Sequence, residues 1–137
     1  MKEGYTLIEQ FALESNLDSV SRVEHIVDNV CKRLTLDEAS YGNVLIAVSE
    51  AVTNAVIHGN GVGSSLHVNV AVADGTEQFY FNIKDSGRGF DTTVLPDPTN
   101  PENLLLENGR GIFLMQNLSD KVEFEDYGRS VFMYFQK

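Results

Sequence analysis

At 137 residues the chain has the size of one domain and is long enough to bury a core. Its 20 acidic residues against 10 basic ones give a formal charge of −10, which excludes the basic footprint that nucleic-acid binding needs and favours basic protein surfaces as neighbours. No apolar run approaches the ~20 residues that cross a bilayer, and no basic segment followed by an apolar signal core opens the chain, so no membrane is expected and a cytoplasmic location is. The lone Cys31 has no internal disulfide partner and sits in an apolar helical pattern, where a buried, inert thiol is expected.

In chain order, Thr6 to Leu13 predicts a first strand, with Leu7, Phe11 and Leu13 in imperfect alternation. Val20, Val23, Ile26, Val27, Val30 and Leu34 recur at helical spacing and predict a first helix, capped by Asp18 or Ser19. A second helix is predicted from about Asp37 to His58, packing through Leu45, Val48, Val52, Ala55 and Val56 and ending where Gly59 offers a C-cap. Leu66, Val68, Val70 and Val72 alternate, as do Phe79, Phe81 and Ile83 in a strand over Gln78 to Lys84; Asp74-Gly75 between the two runs signals a hairpin. Residues 92–108 hold all three prolines and form a loop of unusual length for a compact domain, the kind that often serves as a lid. Ile112 to Leu118 then reads as a helix. Val122 and Phe124, followed by Val131, Met133 and Phe135, make a closing hairpin around Tyr127-Gly128. The sum is an α/β chain: a two-layer α+β sandwich, with a mixed, mainly antiparallel sheet and helices on one face.

Three short motifs lie on this frame: SEAVTNAVIHGN at Ser49 to Asn60, DSGRGFD at Asp85 to Asp91, and NGRGIFLM at Asn108 to Met115. The first places Glu50, Asn54 and His58 at successive i+4 positions on a helix, which aligns a carboxylate with a carboxamide. Such oxygen ligands suit a magnesium ion that keeps water and substrate phosphates, and the carboxylate can also act as a base. The second follows a strand and sets Asp85 before Gly87 and Gly89, so that a carboxylate able to accept from an exocyclic amine meets a turn whose backbone can approach a ligand closely. In the third, Gly109 and Gly111 flank Arg110 ahead of an apolar helix, where backbone amides and the helix dipole can bind phosphate oxygens.

These segments resemble the N-box and the two glycine boxes of the GHKL ATPase superfamily, which includes histidine kinases and gyrase, and within it the anti-sigma-factor serine kinases of bacterial partner-switching systems. The resemblance covers Tyr41 to Gln136. It implies a single histidine kinase-like ATPase domain of the Bergerat type over 1–137, with residues 92–108 as the ATP lid. It implies ATP and Mg²⁺ as cofactors, Asn54 as the magnesium ligand and Glu50 as the general base. Asp85 would bind the adenine amino group, and Gly87, Gly89, Gly109, Arg110 and Gly111 would surround the nucleotide. It further implies a STAS-domain anti-sigma-factor antagonist as phosphoryl acceptor, a sigma factor as second partner, and a homodimer surface on the first strand and helix, although an amphipathic segment accounts for itself by packing in a monomer.

Taken singly, each motif has a plainer reading. Glu and Asn on one helix usually make a solvated face, and glycine pairs usually mark turns. His58 reads as a helix-terminal residue suited to the dipole, with no catalytic role. Gly59, Gly61 and Gly63 follow a helix and precede a strand, the reverse of the dinucleotide-binding order, and no P-loop sequence is present. The order of all three motifs weighs against these plainer readings; a kinase and an ATP-gated binding module without phosphotransfer need the same pocket, and Glu50, which a pure binder does not require, tilts the balance toward the kinase. A detached histidine-kinase catalytic domain is disfavoured, because the chain has no room for a dimerisation helix pair with a phosphoacceptor histidine.

Overall fold

A computed structural model describes residues 2–87 and 107–137, with 107–110 as backbone alone. The elements are β1 (Thr6–Ser15), α1 (Leu17–Arg33), α2 (Glu38–Asn54) continued by a π-helical segment (Ala55–Asn60), β2 (Ser64–Asp74), β3 (Gln78–Lys84), α3 (Glu107–Leu118), β4 (Lys121–Glu125) and β5 (Ser130–Gln136). The described strands form one sheet in the order β1-β2-β3-β5-β4, and each pairing is antiparallel. The chain is therefore α+β, as the sequence predicts.

The imperfect alternation of β1 has a structural cause. Leu7 pairs with Ala73 and Glu9 with the adjacent Val72, so Ile8 is an extra residue in the ladder and the side-chain phase slips there. Ile8, Phe11 and Leu13 consequently share the core side, while Leu7 is exposed.

One face of the sheet carries Leu13, Val68, Val70, Val72, Phe79, Phe81, Ile83, Val131, Met133 and Phe135, and the helices cover it with Val23, Val27 and Val30 of α1, Val44, Val48 and Val52 of α2, and Ile112 and Met115 of α3. Cys31 belongs to this layer, and burial pushes its thiol up to about 11, which leaves it protonated and inert. The opposite face holds a smaller cluster of Ala73, Tyr80 and Tyr134, against which Tyr5 and Phe132 pack. Lys2 closes that cluster: its ammonium lies 4.3 Å from the Phe132 ring centroid and pairs with Glu125, and its backbone N–H donates to the Tyr80 hydroxyl at 3.3 Å.

Several boundaries differ from expectation. The N-cap of α1 is Asn16, whose Oδ1 accepts from the Ser19 N–H at 3.1 Å, and not Asp18 or Ser19, which both lie inside the first turn. Asp37 caps α2 as the start of the predicted helix, accepting from the Ser40 N–H at 2.8 Å. The predicted last turn of α2 is instead π-wound, and the left-handed residue that ends it is Gly61, with φ of 93°, in place of Gly59. Helix α3 begins at Glu107, so Gly109, Arg110 and Gly111 lie within its opening turns and do not precede it. Residues 92–106 of the expected lid lie outside the described residues.

Candidate functional site

Helix α2 places its apolar residues toward the sheet and leaves Glu50 and Asn54, one turn apart, half-buried on its other side. Helix α3 packs across that side. A Cβ added to Gly111 would lie 3.0 Å from Asn54 Nδ2 and 3.2 Å from Glu50 Oε2, so the absence of a side chain there lets the third motif close on the first. The first N–H groups of a helix have no partner within it, which leaves the opening turn of α3, Gly109 included, able to donate to an anion, while the N–H of Gly111 falls where the helix's own hydrogen bonds begin.

Beyond Asn54 the π winding changes which residues share a face. Hydrogen bonds run i to i+5 in a π-helix, so His58 loses its alignment with Asn54 and is exposed, and Gly59 comes round instead. Gly59 lies against Asp85 at the end of β3: a Cβ on Gly59 would sit 2.5 Å from the Asp85 carboxyl carbon. A Cβ on Gly87 would in turn run into the Gly59 carbonyl. Asn60 ties the same segments together. Its Oδ1 accepts from the Ser86 N–H at 2.7 Å and its Nδ2 donates to the His67 carbonyl at 3.0 Å.

Asp85 is 8% exposed. Its Oδ1 accepts from the Gly87 N–H at 2.8 Å and its own N–H donates to the Arg129 carbonyl at 2.8 Å. Burial raises its carboxyl above the ordinary range; the Gly87 N–H and the Arg129 guanidinium pull it back, and Asp126 adds to the rise.

The structure thus joins Glu50, Asn54 and Gly111 at one end of a single helical run, and Asp85 and Gly87 at the other. Gly109 and Arg110 are on the helix that closes the first group, and Gly89 lies outside the described residues. Gly59, Asn60 and Arg129 were not singled out as site residues by their sequence. For Gly59 and Asn60 the signal was present, since both sit in the unbroken first motif; Arg129 reaches the site only through the fold.

The donor set fits magnesium. Oxygens of Glu50 and Asn54 border the space that a Cβ on Gly111 would fill, and no group of three or more His, Cys, Asp or Glu among the described residues forms a closed cage, as suits an ion that prefers one or two protein oxygens plus phosphates and water. The buried Asp85 carboxyl, presented beside two glycines, suits the amino edge of a base.

Residues 13–135 match the Histidine kinase-like ATPase domain, and the chain belongs to that family of ATP-binding domains. It is 35% identical over 128 residues to the Anti-sigma F factor of Heyndrickxia coagulans, covering 88% of this chain and 83% of the relative. It is 30% identical over 114 residues to Serine-protein kinase RsbW of Oceanobacillus iheyensis, covering 78% and 72% respectively. The corresponding kinase of Staphylococcus epidermidis is 29% identical over 120 residues. Among the described residues no helix is long and apolar enough to cross a membrane.

Proposed function

We propose that this chain is an ATP-dependent serine/threonine protein kinase of the anti-sigma-factor kind, which phosphorylates a STAS-type antagonist and regulates transcription by exchanging that partner for a sigma factor in the cytoplasm. The observation that carries the proposal is the grouping of Glu50, Asn54 and Gly111 at one end of one helical run and Asp85 at the other, which suits the two ends of a nucleotide triphosphate. The names of the relatives, anti-sigma factor and serine-protein kinase, support phosphorylation of a serine and a sigma factor as partner.

In this reading Asp85 accepts from the amino group of adenine, and the missing side chains of Gly59 and Gly87 let the π segment and the Asp85–Gly87 turn pack closely around that carboxyl. Asn54 would hold magnesium, which would supply positive charge to offset that of the phosphates. The opening turn of α3 donates backbone N–H groups to the terminal phosphate. Glu50 takes the proton of the acceptor hydroxyl as its oxygen bonds to the γ-phosphorus; the bond from that phosphorus to the bridging oxygen breaks, and ADP leaves with the electron pair.

The test is incubation with Mg-ATP and STAS-domain proteins of the same genome, read by intact mass. A gain of one phosphate on a partner, reduced by about 10²- to 10⁴-fold in Glu50→Ala while ATP binding is largely kept, supports the kinase and the role of Glu50. ATP binding with no phosphate on any partner points to a nucleotide-gated binding module, and unchanged transfer in Glu50→Ala removes Glu50 from its role.

A further inference from the structure

The β4–β5 hairpin reaches the site through Arg129. Its backbone carbonyl accepts from the Asp85 N–H at 2.8 Å, and its Nε donates to the Gly87 carbonyl at 2.8 Å, so one residue grips both ends of the Asp85–Gly87 turn. The same guanidinium is braced from behind: Nη1 donates to the Asp126 carbonyl at 3.1 Å and to its carboxylate at 3.2 Å, and the group lies 5.7 Å from the Tyr127 ring centroid. The bend that returns Arg129 to this position runs through three successive residues of positive φ, Asp126 at 52°, Tyr127 at 54° and Gly128 at 78°. Two of them are not glycine, and such backbone persists only where its surroundings hold it.

We propose that Arg129 is a positioning residue for base recognition: it fixes the Asp85–Gly87 turn and sets a positive charge beside the Asp85 carboxyl, so that the site accepts the amino edge of adenine and refuses the carbonyl edge of guanine. This rests on the nucleotide reading of the site. An ionised carboxylate can only accept a hydrogen bond, whereas a protonated one can donate to a ring carbonyl. Burial works toward the protonated form at Asp85; the charges that act on it across the turn are Arg129, which opposes that tendency, and Asp126, which reinforces it, while the π segment contributes the uncharged Gly59 backbone. Arg129 therefore determines how far the pH can fall before preference for adenine is lost.

The experiment is calorimetric binding of Mg-ATP and Mg-GTP across a pH series that starts near the ordinary carboxylate range, about pH 4, and runs upward to about pH 8. It compares the unaltered protein with Arg129→Met, Arg129→Lys and Asp126→Asn, each checked by thermal melting. Arg129→Met is expected to bind ATP about tenfold more weakly near neutral pH, the loss of one charge-assisted hydrogen bond, and to lose its ATP-over-GTP preference at a higher pH than the unaltered protein. Arg129→Lys keeps the charge and is expected to keep the pH at which preference is lost. Asp126→Asn, which retains an acceptor for Arg129 but not the charge, is expected to move that pH downward and decides the matter if Arg129→Met does not fold. An Arg129→Met protein with unchanged affinity, preference and pH profile overturns the inference alone, as does an Arg129→Lys profile identical to that of Arg129→Met, or an Asp126→Asn profile that does not move. Failure of the unaltered protein to bind ATP at any pH overturns the nucleotide reading itself and this inference with it.

Discussion

Asp85 is held in the folded chain above the ordinary carboxylate range, chiefly by burial. A carboxyl that binds its proton more tightly folded than unfolded favours the fold at low pH; that favour is complete below the unfolded value and is lost as the pH rises toward the raised folded one. Once ionised the group is thus a burden on stability, which the base-recognition role proposed for it would account for. Asp85→Asn keeps an oxygen for the Gly87 N–H and sheds the charge, and is expected to raise the melting temperature by a few degrees while ATP affinity falls. A melting temperature that drops would show that the carboxylate stabilises its surroundings. Gly87→Ala acts sterically: the new methyl meets the Gly59 carbonyl, which is backbone and cannot swing aside, so the turn must move. ATP affinity measured by calorimetry is expected to fall at least tenfold, with far-ultraviolet circular dichroism little changed. At this scale the sequence was informative wherever a residue's chemistry and its own motif suffice, as for Glu50, Asn54 and Asp85. It was silent on Arg129, because an arginine in a hairpin turn looks the same whether its guanidinium meets water or the Gly87 carbonyl.

The elements were legible through their periods, and less so at their ends. The alternation in β2 and β3 gives the buried face and the Asp74-Gly75 signal gives the partner, but residues 16–19 offer Asn, Asp and Ser within one turn, and each can cap a helix; only geometry selects Asn16. Asn16→Ala is expected to destabilise the fold by about 1 kcal/mol, seen as a lower urea midpoint at constant slope. The same substitution at Asp18 has no N–H of the first turn to abandon. The start of α3 was misplaced for a related reason: Gly109 and Gly111 argue against a helix interior, yet Gly109 falls in the opening turn, whose N–H groups have no partner in the helix, and Gly111 is where the helix comes close to Glu50 and Asn54.

Over the whole molecule, the layer between sheet and helices is what the alternating apolar positions predict, and the aromatic cluster on the other face is not. Tyr80, Phe132 and Tyr134 occupy the strand positions that a two-layer reading assigns to solvent, and their cover, Lys2 and Tyr5, precedes β1. Stability should still reside in the first layer. Phe79 is fully buried and stacks on Phe135 with centroids 5.5 Å apart, so Phe79→Ala is expected to cost about 3–5 kcal/mol, a large share of the ~5–15 kcal/mol that holds a domain folded. Chemical denaturation that finds less than about 1 kcal/mol would mean that the surrounding side chains collapse into the space.

The π-wound run from Ala55 to Asn60 is in effect a helix with a surplus residue, and it stands between the oxygens of Glu50 and Asn54 and the Gly59 backbone that meets Asp85. Among the described residues the two ends of the site are therefore kept in phase by this winding. On the proposed function the segment would work as a caliper: its pitch would set the span between the group that is recognised and the group that reacts, and a chain one residue shorter there would be gauged for a different ligand.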